Sequence, residues 1–169
     1  MGFWERLIGS ESGQSKDTRE LVHDLMTSYS DERGLAQQIR DHAEHSPHQS
    51  GQQQLQGVAT AQDHVVQLLH DAIKAYAERA NQGLQSQQDR NDQNADVPPP
   101  KGGKNHWARV VHDLEDNQAL MKRYTEQGIY WDPELPDVGA LFLSLEQEKS
   151  RIGARLRDIA LRADSHALD

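Results

Sequence analysis

The chain has 169 residues, 35% of them hydrophobic, and carries a net charge of -9 with no cysteine. That length suits one domain with tails, and the missing cysteines exclude disulfides, thiol catalysis and thiolate metal sites. The acidic balance argues against a nucleic-acid partner, since such binders carry basic patches, and no run of 18 apolar residues is present to form a transmembrane segment.

Mean hydropathy is -0.89. The few apolar residues nevertheless fall into stripes at helical spacing, as thin helices with wide solvated faces require. Residues 1–16 form an N-terminal unit. In it Phe3, Trp4, Leu7 and Ile8 make a short amphipathic turn closed by Gly9, followed by a polar linker. That turn has three open placements: on the chain's own bundle, on another subunit or protein partner, or on a membrane surface, for which it is short and weakly basic. No secretory signal is visible, so a cytoplasmic protein is expected.

A first helix is predicted over residues 17–44. Leu21, Leu25, Tyr29, Leu35 and Ile39 line one face, and Glu32 falls in the middle of that stripe. Asp17 with Glu20 three residues on forms a capping-box pattern. Residues 46–51 contain Pro47 and Gly51 and break the helix. A second helix is predicted over 52–81, with Leu55, Val58, Val65, Leu69, Ile73 and Tyr76 on one side. Residues 82–104 are polar and aperiodic, with Pro98, Pro99, Pro100, Gly102 and Gly103, and read as a crossover. A third helix is predicted over 105–127, with Trp107, Val110, Val111, Leu114, Met121 and Tyr124 inward and Gly128 ending it. After a turn at Asp132, Pro133, Leu135 and Pro136, a fourth helix covers 137–165. Its stripe runs Leu141, Leu145, Ile152, Leu156, Ile159, and Glu148 falls within it as Glu32 does in the first. Residues 166–169 are a tail.

Short loops make antiparallel neighbours. An extended chain covers about 3.3 Å per residue, so the crossover can return along helices about 40 Å long. The expected fold is therefore all-α: a four-helix bundle over residues 17–165, built as two antiparallel helical hairpins joined by a long crossover. The run Leu21-Val22-His23-Asp24-Leu25 echoes Val110-Val111-His112-Asp113-Leu114; a duplication and a chance likeness are both open.

A carboxylate on a core-facing stripe costs several kcal/mol unless something compensates it. Cofactor-binding bundles place glutamates there for that purpose. On its connectivity, and on the segments Tyr29-Ser30-Asp31-Glu32, Ala61-Gln62-Asp63-His64 and Glu148-Lys149-Ser150-Arg151, the chain resembles the ferritin-like superfamily of rubrerythrin and stress-protein type. The resemblance implies a di-iron site with a mid-helix Glu on one helix of each hairpin and Glu-x-x-His on the other. Carried over residue by residue, it leaves Glu32, His64, Glu115 and Glu148 as metal candidates. Ala61 stands where a Glu belongs and Arg151 where a His belongs, and Glu115 lies at the edge of a stripe where Asn117 and Gln118 are more central.

The ligand set is thus degenerate, and Arg151 cannot coordinate a metal. Three outcomes are open: a di-iron site, one weakly held divalent metal, or no metal and a salt-bridge knot. In the knot Lys149, Arg151 or His64 balances Glu32 and Glu148. Alternatively, Glu32 snorkels to the bundle edge. The functional expectation is a non-catalytic ferritin-like bundle protein of unspecified cellular role, able to form a homo-oligomer. The alternatives are an iron-binding oxidase or peroxide-handling stress protein, and an adaptor that binds a protein partner through Phe3, Trp4, Leu7 and Ile8.

His42, His45 and His48 cluster at the end of the first helix, where His42 and His45 (i, i+3) either clamp a surface metal or belong to a polar helix end. His70, His106 and His112 are read as covering solvated or half-buried faces. Arg151, Arg155, Arg157 and Arg162 interleave with Glu146, Glu148 and Asp158, the pattern of a solvated, ion-paired face rather than an anion site.

Overall fold

The computed structural model describes residues 17–80 and 105–166. The readings for residues 1–16, for the crossover at 82–104 and for residues 167–169 lie outside them. Among the described residues there are four helices and no strand: α1 (Thr18–Glu44), α2 (Gln49–Ala80), α3 (His106–Trp131) and α4 (Pro136–His166).

The helix ends follow local chemistry. The Asp17 carboxylate caps α1 by accepting the Arg19 N–H at 2.9 Å. Glu20 does not close the predicted box with it; its Oε1 accepts the Tyr130 hydroxyl at 3.3 Å. Asn105 caps α3 through the Trp107 N–H at 2.9 Å. The second helix begins three residues before the predicted start, so Gly51 lies inside its first turn. A β-carbon at Gly51 would come 2.6 Å from Ser46 Oγ, so a larger residue there would have to turn the serine hydroxyl aside. The third helix runs through Gly128, its expected end, to Trp131. Phe142 packs over Gly128, and the indole of Trp131, 0% exposed, anchors the final turn. Pro136 opens α4 at its first position, where a missing N–H costs nothing.

The core takes Leu21, Leu25 and Ile39 from α1, Leu55, Val65 and Leu69 from α2, Val110 and Leu120 from α3, and Phe142, Leu145, Ile152 and Leu156 from α4. Burying each such side chain contributes roughly 1.5–3 kcal/mol. Helix α1 packs against α2 and α3, and α4 against α3 and α2, so α1 and α4 occupy opposite corners. Tyr130, late in α3, meets Glu20, early in α1, and Asp113, early in α3, meets His42, late in α1; α1 and α3 therefore run in opposite directions.

The inward face of α4 differs from expectation. Phe142 is fully buried and Leu141 only partly. Between Leu145 and Ile152 it is Lys149, not Glu148, that occupies the core position. Both lie one turn from each flanking residue, but only Lys149 continues the row from Phe142 to Leu156. No helix of the described residues is long and apolar enough to cross a membrane.

Candidate functional site

Each helix sends a polar side chain into the middle of the bundle. Glu32 of α1 and Lys149 of α4 are both 0% exposed, and Lys149 Nζ lies 2.7 Å from Glu32 Oε2. Gln62 of α2 lies between them. Its Nε2 donates to the same Glu32 oxygen, and its Oε1 accepts from Lys149 Nζ at 2.9 Å. Tyr124 of α3 donates its hydroxyl to Glu32 Oε1 at 2.6 Å. Asn117, also on α3, donates to the Lys149 backbone carbonyl at 2.9 Å. It reaches that far because Gly153 leaves room: a β-carbon there would sit 3.1 Å from Asn117 Nδ2.

This arrangement meets the conditions for burying charge. Both Glu32 carboxylate oxygens accept from donors, and the negative charge faces one positive charge. Burial draws the Lys149 ammonium below the ordinary lysine range, while the Glu32 carboxylate opposes the shift. Burial, reinforced by the Glu32 charge, pushes the Tyr124 phenol well above its usual value. Tyr124 therefore remains a proton donor to the carboxylate at neutral pH.

Of the predicted metal candidates, only Glu32 reaches the centre. His64 is exposed, two positions past the residue α2 turns inward, Gln62. Glu115 is exposed on α3. The Glu148 side chain is 23% exposed at the bundle rim, paired with Arg151 on its own helix, and Arg151 faces solvent. The four candidates are thus not brought together. Of the cations considered as partners for Glu32, Lys149 makes the contact. The residues present at the centre are one carboxylate, one amide, one phenol and one ammonium. They do not fit iron or another divalent metal, because the ammonium offers no lone pair and repels a second cation. Among the described residues no group of three or more His, Asp and Glu side chains is placed to hold a metal ion.

A second buried polar cluster lies about 15 Å further along α1. His42 Nδ1 is 2.8 Å from Asp113 Oδ2, and these side chains are 1% and 0% exposed. Gln38 Nε2 donates to Asp113 Oδ1 at 2.7 Å and to Asp116 Oδ2 at 3.1 Å. His42 and His45 form no clamp: His42 turns inward, whereas exposed His45 places Nδ1 2.7 Å from the Asp41 carbonyl. His42 Nε2 is buried with no hydrogen-bond partner among the described residues. Sequence reasoning missed this cluster, although a signal for it exists. Val110, Asp113, Asn117, Leu120 and Tyr124 form one helical row, and Asp113 and Asn117 are out of place in it in the way Glu32 is in α1.

At the same end of the bundle a cleft of about 630 Å³ opens between the α1–α2 connection, the start of α3 and the end of α4. Ser46, Gly51, His106, Trp107, Ile159 and Arg162 are among its walls. No member of either buried cluster lines it. Burial holds the His106 imidazole below the usual histidine range; Arg109, His42 and His48 add to the shift, and Asp113 opposes it.

No family model matches this chain, and neither a curated protein nor a solved structure matches it.

Proposed function

We propose that this chain is a non-catalytic, ferritin-like bundle protein whose centre is closed by its own cation. On this reading α1 with α2 and α3 with α4 are two antiparallel hairpins, and residues 82–104 are the crossover between them. The short connections within each pair and the opposed directions of α1 and α3 support that architecture.

One observation carries the functional reading: Lys149 Nζ lies 2.7 Å from Glu32 Oε2 with both side chains wholly buried. A di-iron centre balances several carboxylates against two metal cations. Here one carboxylate is balanced by one ammonium, and Gln62 and Tyr124 saturate the remaining positions. The centre takes nothing from solution and offers nothing to a substrate. The same pair opposes the oxidase and peroxide-handling alternative, since an ammonium accepts neither electrons nor oxygen ligands.

The test is elemental analysis of the full chain purified without chelator, with melting curves in added iron(II), manganese(II) and zinc(II). No stoichiometric metal and no metal-dependent rise in Tm are expected, because a ligand that binds only the folded state would stabilise it. One or two metal ions retained per chain, or a saturable rise in Tm, would overturn the reading.

A further inference from the structure

The solvent-facing side of α4 carries two large apolar residues, Leu143 and Leu161, which are 54% and 67% exposed. They stand five turns apart, about 27 Å, and so fall on one line along the helix. Gln147, Ser150 and Ala154 lie between them close to that line, with Ser150 and Ala154 exposed. Glu146 and Arg157 flank the line on the same side, and among the described residues neither makes an ion pair. The outward charge is divided by sign. Asp137, Glu146 and Glu148 occupy the first half of α4. Arg151, Arg155, Arg157 and Arg162 occupy the second, against two acids, Asp158 and Asp164, of which Asp158 is paired with Arg162 at 2.9 Å.

A helix that is acidic in one half and basic in the other complements itself only when two copies lie antiparallel. A two-fold axis midway between the leucines sets Leu143 against Leu161 of a second copy. It also sets Glu146 against Arg157 of that copy and Ser150 against its Ala154. The small residues fall at the crossing point, where helix axes approach closest. Arg151 falls near the axis, and Glu148 already balances its charge. Every contact occurs twice, as an isologous interface requires.

We propose that the chain forms a two-fold dimer through antiparallel packing of α4 on α4 of a second copy. This dimer goes beyond the reading of the buried centre and is independent of it. None of the side chains it uses is hydrogen-bonded or ion-paired to Glu32, Gln62, Tyr124 or Lys149.

The test is sedimentation equilibrium of the full chain, whose monomer mass is 19.1 kDa. The wild type is expected at twice that mass. Leu161→Glu is expected to yield monomer with unchanged helical circular dichroism. Glu146→Arg and Arg157→Glu should each weaken association more than about tenfold, because each creates two like-charge contacts. The double variant restores both contacts and should dimerise again. Should Leu161→Glu lose helicity, the charge-swap set decides alone. A monomeric wild type, a dimer insensitive to these substitutions, or a double variant that fails to recover overturns the proposal.

Discussion

Lys149 reaches Glu32 across the diagonal of the bundle, joining two helices that are not neighbours, at 2.7 Å and out of contact with water. Such a pair is costly to assemble and more costly to break on one side only, since the survivor is left charged in a medium of low polarity. Lys149→Met is therefore expected to destabilise the fold by about 3–5 kcal/mol. Glu32→Leu combined with Lys149→Met should recover most of that loss, because no charge is then stranded. Urea unfolding with unchanged m-values checks both. Additive losses in the double variant would mean the two groups do not act as a pair.

Tyr124 supplies the hydrogen bond to the second Glu32 oxygen, at 2.6 Å. Removing only its hydroxyl in Tyr124→Phe should cost about 1.5–3 kcal/mol, the range for a hydrogen bond to a charged group. Glu148→Ala serves as the contrast. Its partner Arg151 is exposed, so the change should stay within about 0.5 kcal/mol. Comparable losses at the two positions in equilibrium unfolding would contradict the placement of Glu148 at the rim.

In the second cluster, Asp113 accepts from Gln38 and pairs with His42. Asp113→Ala strands the buried His42 and leaves Gln38 only its bond to Asp116, and should cost about 2–4 kcal/mol. Replacing the exposed neighbour in His45→Ala should cost far less. Thermal melts of the two variants rank the residues directly; an equal effect would remove the distinction between inward His42 and outward His45.

The His106 imidazole is held below the usual histidine range by burial, with Arg109, His42 and His48 reinforcing the shift. The folded chain thus keeps His106 neutral at a pH where the unfolded chain protonates it. By linkage, this group's contribution to stability falls as pH drops below about 6.5 and levels off once the folded group also takes its proton. His106→Gln removes that titration. Urea midpoints measured between pH 7 and pH 5 should fall less steeply for the variant than for the wild type. A steeper fall in the variant would reverse the inferred sign.

Glu32 is legible in the sequence because apolar residues fix the phase of its stripe from both sides. Leu25 lies two turns before it and Ile39 two turns after, with Leu35 between. Helix α4 lacks that constraint. Glu148 and Lys149 both fall one turn from Leu145 and one turn from Ile152, and a stripe begun at Leu141 rather than Phe142 tips the phase toward Glu148. The row Phe142, Lys149, Leu156 at seven-residue spacing carries the answer. The end of α3 is hidden for a different reason. Gly128 disfavours a helix locally, but the packing of Trp131 and Phe142 prevails. Burial of Asp113 needs a partner 71 residues away, His42, and no pattern within a single helix names such a partner.

Gln62 carries a consequence of its own. Its amide has a donor end and an acceptor end, and the carboxylate of Glu32 and the ammonium of Lys149 engage one each. Rows of leucine tolerate sliding, since one aliphatic side chain can replace another. A slip of α2 by a single turn, about 5.4 Å, would carry the amide away from both charges at once and bring Val58 or Val65 to them instead. The centre acts as a detent that fixes the axial position of each rod.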